Sequence, residues 1–303
     1  MPARIRIVVG FDGSADSWAA ARFAAAEAAA GHGTVRLVHS LLDRVAYATL
    51  LPPDLPPDLT ADGPAEAQRL LDLARAELAV ACPGADVQTA LVQRAPGAAL
   101  VRVSRSADLV VLGRHGHGRA PAGGGFQRVH AGAVATHVMA YASCPVVVAT
   151  AVDAETVRRP VVLGLDAAAP SAPAIACAFE AAARRGTSLR VCYVNAGRLG
   201  PRDHPQDDAD ARRLLSQALS GWRAAFPDVP VALDVLHGVD PAARLLDAAA
   251  AASLVVVGAR ERAGAPAPGP GGAVPDTLVR NATCPVAVVR TQRQPADHPT
   301  AVS

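Results

Sequence analysis

Hydrophobic and polar positions alternate along this chain between two spacings. Short continuous apolar runs rich in β-branched residues recur at Ile5–Val9, Val35–Val38, Val87–Val92, Leu109–Leu112 and Pro145–Ala149. Such runs are the pattern of strands buried on both faces. Between them lie helix-length patterns at Ser14–Ala30, Glu66–Ala81, Ala98–Ser106 and Ala131–Ala142. A second set of apolar runs follows at Val161–Leu165, Leu189–Val194, Ala232–Leu236, Leu254–Val257 and Val286–Val289. Strand–helix alternation predicts parallel strands joined by right-handed crossovers, and hence an α/β, doubly wound, Rossmann-like open sheet.

The two sets are copies of each other. PGAALVRVSRSADLVVLG at 96–113 aligns without gaps on PAARLLDAAAAASLVVVG at 241–258, with eight identical positions that include Pro96/Pro241, Leu100/Leu245 and Gly113/Gly258. AYASCPVVVA at 140–149 matches RNATCPVAVV at 280–289, and RIVVGFDGSADS at 6–17 matches PVVLGLDAAAPS at 160–171. A period this long makes each copy a domain rather than a stacking unit. The expected domains are 1–150 and 159–292, with 151–159 as the join and a frayed tail from 291. The Pro-rich 51–64 and the polar 197–208 occupy the same place in each copy and read as solvated connections.

Composition refines this picture. Apolar residues make up 51% of the chain but aromatics only 3%, so Ala, Val and Leu must fill the cores. The net charge of +2 gives no electrostatic case for a nucleic-acid partner. All 29 basic residues are Arg, which excludes a Walker-type phosphate lysine and any Schiff-base chemistry. The five Cys show neither a CxxC pair nor metal-ligand spacing, and no apolar run reaches the ~18 residues of a spanning helix. These features predict a soluble, cytoplasmic chain with reduced thiols and no membrane partner.

In a doubly wound sheet, ligands bind beyond the carboxyl ends of the strands where the strand order reverses. Two loops of the first copy should meet there: Gly10–Ser14, and the glycine-rich GRHGHGRAPAGGGFQRVHAGAVATHV that begins at Gly113. Glycines let backbone N–H groups approach an anion, and a following helix adds a favourable dipole. Asp12 alone reads equally well as a helix cap or as a ligand contact; beside that loop, the ligand reading is favoured. His115, His117, His130 and His137 lack a carboxylate or Cys at ligand spacing, so no metal site is predicted. Ser104 and Ser106 lack an elbow motif, and no two carboxylates are placed for acid–base work, so no catalytic residue is predicted.

VGFDGS, ADLVVLGRHGHG, GAVATHV and SCPVVVA together resemble the universal stress protein family, and the doubling resembles its tandem-domain members. The resemblance covers nearly the whole chain. It implies a five-stranded parallel sheet of order 3-2-1-4-5 in each domain. In members that bind ATP it also implies an Asp after strand one and a G-x2-G-x9-G-[S/T] loop after strand four. Asp12 then matches the adenine and ribose contact, flanked by Gly10 and Phe11, and Ser40 falls where the family places an apolar adenine contact. Leu112 closes strand four, Gly113 and Gly116 match the first two loop glycines with His115 between them, and Gly132 matches the third. Ala133, followed by Val134, stands where the phosphate-contacting hydroxyl would be, and 15 residues rather than nine separate Gly116 from Gly132.

The second copy departs further. It keeps Asp166 and Val194, but Asp12-Gly13-Ser14 becomes Asp166-Ala167-Ala168, Glu261 replaces the second glycine and Pro275 enters the helix start. The resemblance therefore implies a regulatory protein that binds ATP in its first domain only, with any hydrolysis incidental. The alternative is a stress-response interaction module with both crevices degenerate; an adenylyl-transfer enzyme is disfavoured by the missing Lys and the lack of an SGGxDS-type loop. The resemblance also implies pairing of the two fifth strands within the chain, and leaves room for a homodimer.

Overall fold

The computed structural model describes residues 4–41, 63–116, 132–195, 207–259 and 273–290. The first half runs β1 (Arg6–Gly10), α1 (Ala15–Ala30), β2 (Thr34–Leu41), α2 (Pro64–Ala81), β3 (Asp86–Gln93), α3 (Pro96–Val103), β4 (Leu109–Gly113), α4 (Ala133–Tyr141) and β5 (Val146–Ala149). One helical turn, α5 (Ala154–Val157), interrupts the join, capped by the Asp153 carboxylate, which accepts from Thr156 N at 2.7 Å. The second half runs β6 (Val161–Gly164), α6 (Ala172–Arg185), β7 (Leu189–Asn195), α7 (Asp208–Ala225), β8 (Val231–His237), α8 (Pro241–Ala249), β9 (Leu254–Ala259), α9 (Ala273–Asn281) and β10 (Val286–Arg290).

All ten strands form one sheet in the order β3-β2-β1-β4-β5-β10-β9-β6-β7-β8. Each half thus has the order 3-2-1-4-5, with every pairing inside a half parallel. The exception to the parallel rule is β5–β10, which is antiparallel with Val147 opposite Ala287. The switch point of each half therefore falls between its first and fourth strands, as the order implied by the resemblance requires.

Continuous Val runs sit at the centre because helices cover both faces of the sheet. On one face α1, α2, α6 and α7 bury Ala20, Ala24, Leu71, Leu78, Phe179 and Leu215 against Ile7, Val9 and Leu163. On the other, α3, α4, α8 and α9 bury Leu100, Val138, Leu245 and Leu278 against Val8, Val110 and Val288. Both cores run through both halves. The predicted helix from Ala98 to Ser106 is shorter than expected at its end, where Ser104–Ser106 tighten into a 3-10 turn.

Polar contacts reinforce the joint between the halves. Glu27 of α1 is buried, and its carboxylate takes Arg185 Nε at 2.6 Å and Arg184 Nη2 at 3.5 Å from the end of α6. Arg185 also donates to Ser253 O at 3.2 Å and lies over the Phe23 ring. On the opposite face Arg114 Nη2 donates to Ala282 O at 2.5 Å, and Arg290 Nη1 to Ala142 O at 3.4 Å. Each arginine thus meets the carboxyl end of a helix from the other half, where the helix dipole favours a cation.

Among the described residues, no helix is long and apolar enough to cross a membrane. All five cysteines are free thiols. Burial pushes Cys144 and Cys177 up to about 12 and Cys192 and Cys284 up to about 11. Because the thiolate is the reactive form, these four will resist iodoacetamide at pH 8 in the folded protein and react once urea unfolds it. Mass spectrometry of labelled peptides checks this; rapid labelling of all four in the native state would contradict it.

Candidate functional site

The crevice begins where β1 ends. A Cβ on Gly10 would lie 2.6 Å from Leu112 Cδ2 and 3.0 Å from Leu100 Cδ1, so a side chain there would press on the floor between β1 and β4. Phe11 N donates to Val38 O at 3.0 Å, and the Phe11 ring packs edge-on against Trp18 with centroids 5.1 Å apart. His39 Nδ1 lies 2.9 Å from Phe11 O, fixing the direction in which the chain leaves the strand. Gly13 then takes φ +84°, a conformation open to glycine, and the chain turns into α1.

Ser14, rather than Asp12, caps α1: its hydroxyl oxygen accepts from Ser17 N at 3.2 Å. The Asp12 Oδ1 atom in turn accepts from Ser14 N at 3.0 Å and from Ser14 Oγ at 2.6 Å. The helix cap therefore orients the carboxylate, and the two uses of an acidic residue at this turn are divided between neighbouring side chains.

The β4 loop meets this turn from the other side. A Cβ on Gly113 would fall 2.6 Å from the backbone carbon of Asp16, and one on Gly116 would fall 2.6 Å from Asp12 Oδ2. Glycine at both positions lets the loop lie directly against the first turn. His115 N donates to Asp16 Oδ2 at 2.9 Å, and His115 Nδ1 lies 3.1 Å from the same oxygen. Gly132 N donates to Arg114 O at 2.9 Å, and Gly132 caps α4, accepting from Thr136 N at 3.0 Å. The neck of the loop is thus closed by a backbone hydrogen bond.

The structure brings together Asp12, Gly113, His115, Gly116 and Gly132, with Ala133 and Val134 exposed on the first turn of α4. The first-turn amides of α4 have no partners within that helix, which is the arrangement that receives an anion. Phe11 and Leu112 turn their side chains into the two cores, so only their backbones border the crevice. The Ser40 hydroxyl donates to Arg94 O, tying β2 to the end of β3. Of the predicted loop residues, His117, Arg119, Arg128 and His130 lie outside the described residues. His137 packs by Gly97 and against Tyr141, its ring 4.9 Å from the tyrosine ring.

Two residues at the site were not singled out from the sequence. Asp16 resembles an ordinary acidic residue in a first helical turn, and its partner His115 lies 99 residues away. Arg114 sits inside the loop motif, but its guanidinium reaches across to the second half. Burial pushes that guanidinium below its ordinary value, with Asp16 opposing the shift.

The second half preserves the turn and loses its embellishments. Asp166 Oδ1 accepts from Ala168 N at 3.0 Å, and Leu165 N donates to Cys192 O at 3.0 Å, as Phe11 does to Val38. A Cβ on Gly164 would meet Leu245 Cδ1 at 2.9 Å and Val257 Cγ1 at 3.1 Å, repeating the crowding beneath Gly10. No hydroxyl stands at Ala168, however, and the helix cap has moved to Ser171. Tyr193 replaces His39, and burial followed by the Asp166 charge pushes its phenol up. Pro275 removes one amide donor from the first turn of α9; Arg260 and Glu261 lie outside the described residues.

Comparison with known proteins agrees with the two-half architecture. The sequence profile of the Universal stress protein family matches twice, at residues 4–150 and 158–290. The chain belongs to the universal stress protein family. A universal stress protein of Mycolicibacterium smegmatis is 34% identical over 301 residues, covering 94% of this chain and 96% of its own. One of Mycobacterium tuberculosis is 32% identical over 294 residues, covering 94% of this chain and 96% of its own. The crystal structure of a universal stress protein from Archaeoglobus fulgidus superposes with a TM-score of 0.63 at 14% identity, covering 95% of this chain and 98% of that one. It shares the fold.

Proposed function

We propose that the first half of this universal stress protein binds an adenine nucleotide, ATP in the family's pattern, and that the protein acts by presenting the bound state to a partner in the cytoplasm. One observation carries the reading: Gly116 lies with its Cα side directly against the Asp12 carboxylate, in a space that a Cβ would fill. Asp12 is held by Ser14 in position to accept from ribose hydroxyls or an adenine amino group. Gly132 and the amides opening α4 stand beside the same loop, where phosphate would be received. Ala133 offers a methyl group in place of a hydroxyl and withholds one hydrogen bond of about 0.5–1.5 kcal/mol, so affinity rests on the backbone.

The second half is read as a structural partner without nucleotide. Its support is the lost hydroxyl at Ala168 and the donor removed by Pro275. The antiparallel register of β5 on β10 supports reading the joint as a pairing of two domains within one chain. The reading is one of binding, with any hydrolysis incidental to it.

Calorimetric titration of the whole protein with ATP and with AMP tests the reading. About one site per chain is expected, and Asp12→Ala should abolish the heat while leaving the thermal transition in place. Absence of heat at millimolar concentrations of either nucleotide would leave the interaction module with two degenerate crevices as the better account.

A further inference from the structure

We infer that Asp16 tunes the charge response of the first crevice, holding its affinity for the triphosphate below what the loop would otherwise give while leaving adenosine unaffected. The inference rests on the nucleotide reading of that crevice and adds a residue with a defined task. Asp16 is not needed as a helix cap, because Ser14 already fills that role. Its side chain instead crosses to the β4 loop, where Oδ2 meets both the backbone N–H and the Nδ1 atom of His115. That amide lies between Gly113 and Gly116, the glycines that let the loop lie against Asp16 and Asp12. Asp16 is therefore a resident anion, seated on a donor that an incoming phosphate would otherwise use.

Local packing is built around this contact. The absent Cβ of Gly113 would lie 2.8 Å from the Asp16 Cβ, so the glycine that lets the loop approach α1 is also the one that seats Asp16. Asp12 meets the same loop further along, its Oδ2 against Gly116. Two carboxylates thus bracket the three residues 114–116. Arg114 feels the charge of Asp16 but commits a guanidinium nitrogen to Ala282 O in the other half. Repulsion from this bracket grows with the charge on the ligand: none for a nucleoside, more for a monophosphate, most for a triphosphate. The device is confined to the half that keeps its loop glycines. Two positions beyond the cap of α6, where Asp16 stands relative to Ser14, the second half has Pro173.

Two substitutions separate the charge from the occupied donor. Asp16→Asn keeps an oxygen to accept from His115 N and removes the charge; Asp16→Ala vacates the amide as well. Titrations with adenosine, AMP and ATP in the presence of a chelator compare both variants with the wild-type protein, and thermal melts verify folding. In Asp16→Asn, ATP should bind on the order of tenfold more tightly, AMP should gain less, and adenosine should be unchanged. Asp16→Ala should gain at least as much for ATP. An ATP-to-adenosine affinity ratio equal to that of the wild type would overturn the inference while leaving the nucleotide reading intact. Weaker ATP binding in Asp16→Asn would overturn it too, since Asp16 would then be a direct contact. If none of the three ligands binds the wild type or either variant, the nucleotide reading itself fails, and this inference with it.

Discussion

Replacing Glu27 with alanine will lower the stability of the folded chain by about 3–5 kcal/mol, the usual cost of removing one member of a buried ion pair. The side chains of Glu27 and Arg185 are 6% and 9% exposed, so the loss leaves a guanidinium nearly stripped of water. Arg185 would retain Ser253 O and the Phe23 ring, but no counter-charge at 2.6 Å. Urea denaturation at pH 7 measures the effect. Arg185→Ala should be similarly costly, and the double variant should lose clearly less than the sum, because the penalty of an orphaned charge is then removed. A loss below about 0.5 kcal/mol in Glu27→Ala, the scale of surface substitutions, would show that the pair does not hold the two halves together.

Gly113→Ala is expected to cost about 1–3 kcal/mol, as overpacking does, and to abolish nucleotide binding as well. The added Cβ would meet the backbone carbon of Asp16 at 2.6 Å and its carbonyl oxygen at 2.8 Å. These are backbone atoms, so α1 as a whole must retreat from β4, carrying Asp12 and Asp16 with it. Gly132→Ala is the matched control. Among the described residues its Cβ would approach nothing closer than Arg114 O at 3.6 Å, an ordinary contact, so that variant should melt nearly as the wild type does. Thermal melts and calorimetry on both decide the matter; equal tolerance of the two substitutions would undercut the close-approach argument.

The sheet was legible because a parallel strand covered on both faces leaves a simple trace, an unbroken Val-rich run such as LVVLG or LVVVG. The repeat supplied the same trace twice, and the reversal of strand order followed. Asp12 and the flanking glycines were legible for a related reason: a sharp turn and a close backbone approach restrict residue type locally. The division of labour at that turn was not legible, since DGS offers Asp12 and Ser14 as caps with nothing in the string to choose between them. The longer spacing from Gly116 to Gly132 looked like a departure at the site itself. The bond from Gly132 N to Arg114 O shows that the two ends of the loop meet in this chain. Least legible were contacts between the halves. Glu27 and Arg185 are 158 residues apart, and a Glu within an alanine run gives no hint of which cation will cover it.

The single antiparallel junction, β5 against β10, has a consequence for how this protein is addressed from outside. Ligand crevices open at the carboxyl ends of parallel strands, and at this junction the strand direction inverts. The crevice holding Asp12 and the one holding Asp166 therefore open on opposite rims of the sheet. The first crevice shares its rim with the N-terminal ends of the second half's strands, where Arg114 touches Ala282. A single chain thus faces two ways at once, with one crevice on each side and the β5–β10 seam between them.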